Sequence, residues 1–567
     1  MVSRSELAKT ALIPEEFAQR YRQEGLWLDQ TIPEFLLEAC RRRPQDLALV
    51  ASYHGSAGPE PVQVRWSYRE LEEAGWAAAE RLGQEGVKPG DRVLLQLANT
   101  ADYLQYLLGI FWAGALPVFC LPAHRQEELA HFAQVSDAAA HVFSSQTIGA
   151  DLGQVHQKLV ELLEQRQLEP PLGIDVAQGG PSAGQPTLGQ PAELSPIFNT
   201  VKERKSEQIA FLQLSGGTTG LAKLIPRTHA DYLYSVRASA QICGLTKEST
   251  TLVVLPAAHN FTMSSAGILG AIHVGAPLVF AQDPSPQTSF RLIAREKVKV
   301  VALVPPLAQA WLESAQRRRP QLDSLELLQV GGAKLLTSVA KKIEPVLGCK
   351  LQQVFGMAEG LVNYTRSDDP DAVRFQTQGR PISSLDEILV LDDAGQPVEP
   401  GQSGHLLTRG PYTIRGYYGQ PQENLTSFTP EGFYRSGDIV RLDPARNIEV
   451  TGRAKDQINR NGEKIAVDEI EDLALAHRDV FDAVVVGLPD PQVGERVCLV
   501  VLPGPGADFG QNPRSYFYDY FSAAGLAAFK IPERVEIMDR FPVTKVGKVS
   551  RQDIRLALLK ELGGTSS

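Results

Sequence analysis

The stretch LSGGTTGLAKLIPRTH, Leu214 to His229, directly follows the apolar run Ile209–Leu214, so its glycines come at the end of a predicted strand. Glycine lets the backbone fold closely and turn several N–H groups toward an anion. The loop combines backbone amides at Gly216, Gly217 and Gly220 with hydroxyls at Ser215, Thr218 and Thr219 and the charge of Lys223. GxxxxGK[ST] and GxGxxG are both absent, which excludes a Walker-type loop that caps a helix. The stretch predicts a polyphosphate site, with a flexible Gly/Thr loop as the alternative.

Outward from this loop, short apolar runs alternate with longer amphipathic segments. Strands are predicted at Arg92–Leu97, Thr251–Leu255, Val298–Val304 and Leu325–Val330, and helices at 68–85 and 338–347. This alternation predicts largely parallel sheets covered by helices. Residues 169–195, rich in Pro, Gly and Gln, predict a surface loop or linker.

The pattern changes after Asp386. Residues 387–391 and 401–410 predict an antiparallel β-region, and a final block from about Lys455 has its own strands and helices. We therefore expect an α/β protein with two domains. Residues 1–454 form a large N-terminal domain of stacked, helix-covered sheets plus a β-rich subdomain, and residues 455–567 form a small α+β domain.

Composition limits the class of protein. The 567 residues are 43% hydrophobic and 22% charged, as in ordinary globular proteins. A formal charge of -10 argues against a nucleic-acid partner. The N-terminus lacks an apolar signal segment, and no window is apolar enough to span a membrane, so no membrane partner is expected. The 5 cysteines are scattered without zinc spacing, which suits a reducing cytoplasm.

Four further motifs follow the glycine loop in order: QVFGMAEG (353–360), YRSGDIV (434–440), GRAKDQINRNGEKI (452–465) and PVTKVGKVSR (542–551). With these motifs the chain resembles, over nearly its whole length, the adenylate-forming superfamily of acyl-CoA synthetases, luciferases and peptide-synthetase adenylation domains. The resemblance implies an enzyme that joins a carboxylic acid to AMP from ATP, releases pyrophosphate and passes the acyl group to a thiol.

The resemblance also implies roles for individual residues. Lys548 matches the catalytic lysine that bridges carboxylate and phosphate oxygens, whose combined negative charge must be offset. Glu359 matches the carboxylate that holds Mg²⁺, a hard cation suited to phosphate oxygens. Asp438 matches the acceptor of both ribose hydroxyls, with Arg453 as its companion. The adenine ring would lie between two elements, Gly331, Gly332 and Ala333 on one side and Val354, Gly356 and Met357 on the other.

The resemblance further implies that the C-terminal domain is mobile. Lys455 matches the hinge about which this domain rotates, and the loop around Gly462 would enter the site for thioester formation. The lysine of the first step would otherwise obstruct the thiol of the second. Asn461 stands where close relatives are expected to have glycine, and asparagine tolerates positive φ better than most residues.

The segment LPAAHNFTMSS, Leu255 to Ser265, carries the prediction of the substrate. Its AHNF element resembles the subgroup that activates aryl acids for siderophore synthesis. Asn260 is neutral, so the ammonium of an amino acid would be buried unpaired, whereas a carboxamide suits an ortho-phenol. Phe261 would cover one ring face. The predicted acid-binding set is His259, Asn260, Phe261, Ser265, Gly332, Ala358 and Val362, with His259 also counted as catalytic.

Within this subgroup, a serine at 265 and a small valine at 362 accompany 2,3-dihydroxybenzoate, whereas salicylate enzymes tend to carry cysteine and leucine. We therefore expect 2,3-dihydroxybenzoate, with salicylate as the alternative. For Ser265 the alternative role is a helix N-cap, and for His259 it is a satisfied core histidine.

The chain ends soon after the lysine motif, so the expected acyl acceptor is the phosphopantetheine thiol of a separate aryl carrier protein. Two other hypotheses remain. One is an aryl-CoA ligase that delivers to free coenzyme A. The other is a nucleotide-binding regulatory relative without catalysis, against which Lys548, Glu359, Asp438 and Arg453 speak.

Overall fold

The computed structural model describes residues 13–53, 62–147, 149–178, 205–215, 222–264, 266–318, 320–460, 463–490, 492–543 and 549–564. Their contacts divide the chain into two units. Unit 1 comprises residues 1–335, 339–387 and 408–434, and unit 2 comprises 336–338, 388–407 and 435–567.

The strands up to residue 381 are β1 (Leu47–Tyr53), β2 (Val62–Ser67), β3 (Arg92–Gln96), β4 (Leu116–Phe119), β5 (Ala138–Phe143), β6 (Leu172–Asp175), β7 (Ile209–Leu214), β8 (Leu224–Thr228), β9 (Thr251–Val253), β10 (Leu278–Phe280), β11 (Val300–Leu303), β12 (Leu327–Gly331), β13 (Lys350–Met357), β14 (Gly360–Tyr364) and β15 (Arg380–Pro381). They form two sheets. One has the order β6-β5-β3-β4-β7-β8, and the other the order β15-β14-β13-β12-β11-β9-β10-β1-β2.

Both sheets have parallel interiors and antiparallel edges. In the six-stranded sheet only the β7–β8 pair is antiparallel. In the nine-stranded sheet, β13, β12, β11, β9, β10 and β1 are parallel to their neighbours in that order. The edge strands β2, β14 and β15 pair in the antiparallel sense. Parallel strands are joined by crossovers that place helices on the sheet faces, which explains why the interior strands are predominantly apolar.

The helices up to residue 434 are α1 (Glu15–Gln23), α2 (Ile32–Arg42), α3 (Tyr68–Gln84), α4 (Ala101–Trp112), α5 (Gln126–Ser136), α6 (Leu152–Gln165), α7 (His229–Ile242), α8 (Asn260–Ser264), α9 (Ile268–Val274), α10 (Pro286–Glu296), α11 (Pro305–Arg318), α12 (Thr337–Leu347), α13 (Asp371–Gln376) and α14 (Pro421–Ser427). Capping boxes begin α2 at Thr31, α3 at Ser67 and α7 at Thr228. In each, a side-chain hydroxyl accepts the backbone N–H of an acidic residue three positions on, which satisfies an otherwise unpaired donor.

The helices cover the nine-stranded sheet with a continuous apolar core. Val301 and Leu328 of the sheet, Ile293 of α10 and Trp311 of α11 are fully buried in one cluster. A comparable cluster under the six-stranded sheet includes Leu94, Phe132 and Leu159.

Most of unit 2 follows residue 434. Strands β16 (Glu387–Leu391), β17 (Ser403–Arg409), β18 (Tyr434–Leu442) and β19 (Ile448–Arg453) form one sheet in that order. A second sheet has the order β21-β20-β23-β22 with a further strand beside β23, formed by β20 (Ile458–Arg460), β21 (Glu463–Ile465), β22 (Val480–Asp490), β23 (Gly494–Pro503) and β24 (Arg534–Ile537). The helices α15 (Val467–Leu475), α16 (Pro513–Ala523) and α17 (Arg551–Gly564) accompany it.

The predicted fold class is confirmed, because helix-covered sheets, a β-rich region and a separate C-terminal α+β part are all present. The predicted strands and helices match β3, β9, β11, β12, α3 and α12 to within a few residues. The predicted β-region contains β16 and β17, which are neighbours in one sheet with β18 and β19, and the β18–β19 pair is antiparallel. The boundary after residue 454 stays a prediction; the contact-based division instead groups residues 388–407 and 435–453 with the C-terminal residues.

One prediction is wrong in part. Residues 169–195 were expected to be a loop or linker, yet β6 lies within them and extends the six-stranded sheet beside β5. Its Ile174 is 1% exposed, so a single buried apolar side chain and pairing to an existing strand hold this short edge element. Residues 179–195 lie outside the described part. Among the described residues, no helix has the length and apolar character needed to cross a bilayer.

Candidate active site

The glycine-rich loop joins two antiparallel strands. Leu214 of β7 pairs with Leu224 of β8. Two bonds close its base: the Ser215 N–H donates to the Lys223 carbonyl, and the Lys223 N–H donates to Ser215 Oγ, each at 2.9 Å. A strand rather than a helix follows, in agreement with the exclusion of a Walker-type loop. The predicted phosphate ligands Gly216, Gly217, Thr218, Thr219 and Gly220 lie outside the described residues.

Lys223 and Glu359 are linked through one tyrosine. The Lys223 ammonium lies 4.8 Å from the centroid of the Tyr417 ring and forms an ion pair with Glu423. The Tyr417 hydroxyl donates to Glu359 Oε1 at 2.9 Å and lies 3.1 Å from the Tyr434 hydroxyl. The base of the glycine loop and the predicted metal ligand therefore belong to one polar cluster.

Glu359 is nearly buried, and burial raises the pKa of its carboxyl group. Its hydrogen bonds and the positive charge of Lys223 oppose this rise. Among the described residues no cluster of three or more His, Cys, Asp or Glu side chains could hold a metal. A lone buried carboxylate nevertheless fits Mg²⁺, which usually takes one or two protein carboxylates and completes its shell with water and substrate phosphates.

Phe261, Gly331 and Val354 meet at the carboxyl ends of the nine-stranded sheet. A Cβ atom added to Gly331 would lie 3.0 Å from Phe261 Cζ and 2.8 Å from the Val354 carbonyl oxygen. Glycine at the end of β12 therefore leaves the space in which the phenylalanine ring approaches this strand.

The neighbouring strand continues the same surface. Gly356 of β13 is the register partner of Val362 on β14, and a Cβ on Gly356 would lie 3.3 Å from Val362 Cγ2. Phe261, Val354 and Val362 share one apolar cluster and are each less than a tenth exposed. The structure thus brings together three of the side chains predicted around the acid and the adenine.

His259 and Asn260 are placed by hydrogen bonds around the short helix α8. His259 Nδ1 accepts the Phe261 N–H at 3.2 Å, and the His259 carbonyl accepts the Met263 N–H at 3.0 Å. Asn260 Oδ1 accepts the Tyr232 hydroxyl at 3.0 Å. His259 therefore caps the helix that presents Asn260 and Phe261.

Ser265, the predicted partner of a 3-hydroxyl group, lies outside the described residues. Its alternative role, a helix N-cap, is taken at the next helix by Gly267, which precedes α9.

The segments predicted to enclose adenine lie next to this surface. Gly332, with φ of 84°, turns the chain after β12, and it and Ala333 are exposed. Met357 ends β13, and the following Ala358 carbonyl accepts a hydrogen bond from Arg227 Nη1 at 3.0 Å. Both segments come at the carboxyl ends of parallel strands, where open α/β sheets bind ligands.

In unit 2, Asp438 and Arg453 face each other across β18 and β19. They are register partners, and Arg453 Nε lies 2.8 Å from Asp438 Oδ1. Lys455 follows in the 3₁₀ turn Ala454–Asp456, directly after β19. The predicted residues Gly462 and Lys548 lie outside the described part.

Five residues of these networks were not among the predicted site residues: Arg227, Tyr232, Tyr417, Glu423 and Tyr434. Arg227 is part of the glycine-loop motif, and the T-x-x-D spacing from Thr228 to Asp231 signals the helix start that follows it. Tyr232 and Tyr417 carry no comparable signal, because their hydrogen bonds to Asn260 and Glu359 join residues 28 and 58 positions apart in the chain.

Comparison with known proteins agrees with this architecture. The AMP-binding enzyme family matches residues 36–418, and the AMP-binding enzyme C-terminal domain matches residues 469–548. The chain is 44% identical over 549 residues to the 2,3-dihydroxybenzoate-AMP ligase of Bacillus subtilis (strain 168), covering 97% of each protein. It is 41% identical to the salicyl-AMP ligase / salicyl-S-ArCP synthetase of Mycobacterium tuberculosis (strain ATCC 25618 / H37Rv), covering 97% of this chain and 94% of that protein.

Among solved structures, the apo structure of Mycobacterium smegmatis MbtA matches with a TM-score of 0.69 and 40% identity, covering 96% of this chain and 98% of that one. The chain belongs to the AMP-binding enzyme family. It is an ATP-dependent adenylating ligase.

Proposed function

We propose that the protein activates 2,3-dihydroxybenzoate with ATP and transfers the aryl group to the phosphopantetheine thiol of a separate aryl carrier protein in siderophore synthesis. In the first step a carboxylate oxygen bonds to the α-phosphorus, and pyrophosphate leaves. In the second the thiolate bonds to the acyl carbon, and AMP leaves.

The neutral, partly apolar wall of the proposed acid site is the observation that carries the choice of substrate. Phe261 and Val362 supply apolar surface, Gly331 allows close approach, and Asn260 supplies a carboxamide instead of a charge. Such a surface accepts a planar aryl ring, whereas an ammonium would be desolvated there without a counter-charge. The dihydroxybenzoate and salicylate ligases among the relatives support the same class of acid.

Charged residues are proposed to handle the nucleotide. Lys548 would bridge the carboxylate and α-phosphate oxygens, and the glycine-loop amides with Lys223 would bind the triphosphate. Asp438 would accept the ribose hydroxyls beside Arg453. Glu359 would hold Mg²⁺, which when bound offsets phosphate charge.

Two features of unit 2 are proposed to serve the second step. The 3₁₀ turn that carries Lys455 would be the hinge, and the loop around Gly462 would line the thiol path. A cytoplasmic location is part of this proposal, because the five cysteines are free and need no oxidising compartment.

The test is acid-dependent exchange of labelled pyrophosphate into ATP across benzoate, salicylate and 2,3-dihydroxybenzoate. We expect the highest kcat/KM with 2,3-dihydroxybenzoate. A higher kcat/KM with salicylate would make salicylate the substrate of the same reaction. Absence of exchange with every aryl acid would refute the proposal.

Delivery to free coenzyme A is the second candidate, because one relative is named a salicylyl-CoA synthase / salicylate adenylyltransferase from Streptomyces sp. Parallel reactions with coenzyme A and with a phosphopantetheinylated aryl carrier protein separate the two acceptors. An aryl-CoA product formed faster than the loaded carrier would favour the second candidate.

A further inference from the structure

Tyr232 lies next to the predicted acid site, and its hydroxyl contacts Asn260. It belongs to α7 and is 0% exposed, and its hydroxyl donates to Asn260 Oδ1 at 3.0 Å. Within the described part of the chain, this is the hydrogen bond that the Asn260 side chain makes. The carboxamide oxygen is therefore occupied, and the Nδ2 amide group is the part that can donate to a ligand.

The Tyr232 ring is held from two sides. Phe211 of β7 packs edge-on, with ring centroids 4.6 Å apart, and the Arg227 guanidinium carbon lies 4.7 Å from the Tyr232 centroid. Rings clamped in this way keep their hydroxyl in one position, which is what precise orientation of a neighbouring group requires.

Arg227 is fixed in turn by bonds on three sides. Its Nε donates to Asp231 Oδ1 at 2.9 Å, its Nη1 to the Ala358 carbonyl at 3.0 Å and its Nη2 to the Tyr412 carbonyl at 3.2 Å. Asp231 also completes the capping box of α7. Through Tyr232 and Arg227, the start of α7 therefore connects Asn260 with Ala358, which lies between β13 and β14.

This arrangement matters because a carboxamide has a donor end and an acceptor end of almost the same shape. Rotated by half a turn, Asn260 would present an acceptor instead of a donor. Burial raises the pKa of Tyr232 to about 12, so the phenol keeps its proton and remains a donor at neutral pH.

We propose that Tyr232 is a positioning residue for substrate selection: its hydroxyl fixes the Asn260 carboxamide so that Nδ2 donates to an oxygen ortho to the carboxylate of the bound aryl acid. This inference rests on the proposed function and deepens it. It assigns selection of an ortho-hydroxyl to a pair of residues, one of which does not touch the acid.

The test compares kcat/KM for salicylate with that for benzoate, which lacks the ortho oxygen. Tyr232→Phe should lower this ratio about 5- to 30-fold, as expected when a buried hydrogen bond is lost. The KM for salicylate should rise, and the KM for ATP should stay unchanged. Tyr68→Phe is the matched control, because Tyr68 is equally buried and donates to the Ala276 carbonyl in another part of unit 1. Tyr68→Phe should leave the salicylate-to-benzoate ratio of kcat/KM unchanged.

Asn260→Asp supplies a second, independent variant. Aspartate still accepts from Tyr232 but has no donor to offer, so the salicylate-to-benzoate ratio should fall at least as far as in Tyr232→Phe. Repulsion of the substrate carboxylate acts on both acids and cancels in the ratio. In the Tyr232→Phe/Asn260→Ala double variant the ratio should equal that of Asn260→Ala alone.

The outcomes separate this inference from the proposed function. If the unmodified protein exchanges pyrophosphate with aryl acids but Tyr232→Phe keeps the wild-type ratio, the inference fails and the function stands. An equal fall in Tyr68→Phe, or multiplicative effects in the double variant, also overturns the inference. If the unmodified protein activates no aryl acid, the proposed function itself fails.

Discussion

The proposed acid-binding wall of unit 1 and the proposed nucleotide-binding residues of unit 2 differ in chemical character. The wall consists of buried neutral groups, with Phe261 7% and Tyr232 0% exposed. In unit 2, Asp438 pairs with Arg453, whose side chain is 50% exposed, and Arg551 lies near both Asp456 and Asp468 at 3.7 and 3.5 Å. Neutral, clamped groups suit recognition by shape and hydrogen bonding. Charged, partly exposed groups suit a phosphate ligand and a part that is proposed to move.

Because the charged residues of unit 2 are proposed to act on the nucleotide, substituting them should slow one reaction step without changing the preferred acid. Lys548→Ala should lower aryl-AMP formation by more than about 1,000-fold for every acid, because it removes the cation that offsets the developing charge. Thioester formation from supplied aryl-AMP should be retained. Lys560→Ala, at an exposed position of α17, is the control. Equal loss of both steps would contradict the division of roles.

Glu359 is a charged residue of unit 1 that is proposed to hold Mg²⁺, so its variant should affect rate and metal dependence but not acid preference. Glu359→Gln should lower pyrophosphate exchange about 100- to 1,000-fold and raise the Mg²⁺ concentration needed for half-maximal exchange. Since burial raises the pKa of Glu359, activity of the unmodified protein should fall with decreasing pH sooner than for an ordinary glutamate.

Glu326→Gln is the matched control for this variant, because Glu326 is an exposed glutamate of unit 1 that pairs with Lys299. It should leave both the exchange rate and the Mg²⁺ dependence unchanged. An unaltered Mg²⁺ dependence in Glu359→Gln would remove Glu359 as the metal ligand.

Ser265→Cys should show the reverse pattern, a change of acid preference without loss of a step. Replacing the hydroxyl should shift preference from 2,3-dihydroxybenzoate toward salicylate by about 1–3 kcal/mol, the scale of a lost buried hydrogen bond. The ratio of the two kcat/KM values measures the shift. Ser289→Cys, at a buried serine of α10, should leave it unchanged. An unchanged ratio in Ser265→Cys would exclude this serine from the acid site.

The features of unit 1 differ in how well the sequence alone predicts them. Strands β9 and β12 were predictable because their apolar runs are local; Gly331 ends β12, and Phe261 lies in the segment that follows β9. The four-residue β6 was missed, since pairing to β5 outweighs its Pro- and Gly-rich surroundings. The bond from Tyr232 to Asn260 joins residues 28 positions apart. It depends on how α7 packs, which no local pattern encodes.

A histidine pair beside the six-stranded sheet lies outside the predicted site residues of unit 1. His141 Nε2 lies 3.1 Å from Gln96 Oε1 and His141 Nδ1 lies 3.1 Å from His156 Nδ1. The Gln96 oxygen can only accept, so His141 must donate through Nε2 and accept at Nδ1 from His156. A second proton would place two N–H groups against each other.

The smallest predicted effect follows from this pair. Burial lowers the pKa of both histidines, most strongly for His141, while Asp175 partly opposes the shift at His156. The unfolded chain therefore binds more protons than the folded one below about pH 6.5, the ordinary histidine pKa. The free energy of unfolding should be highest above that pH and fall on acidification by up to about 1.4 kcal/mol per pH unit for each histidine.

Urea unfolding of the protein at pH 5 to 8 measures this slope. His156→Gln, which can still donate to His141 Nδ1, should reduce the slope while matching the unmodified protein at pH 8, and an unchanged slope would show that His156 is not held neutral by its surroundings.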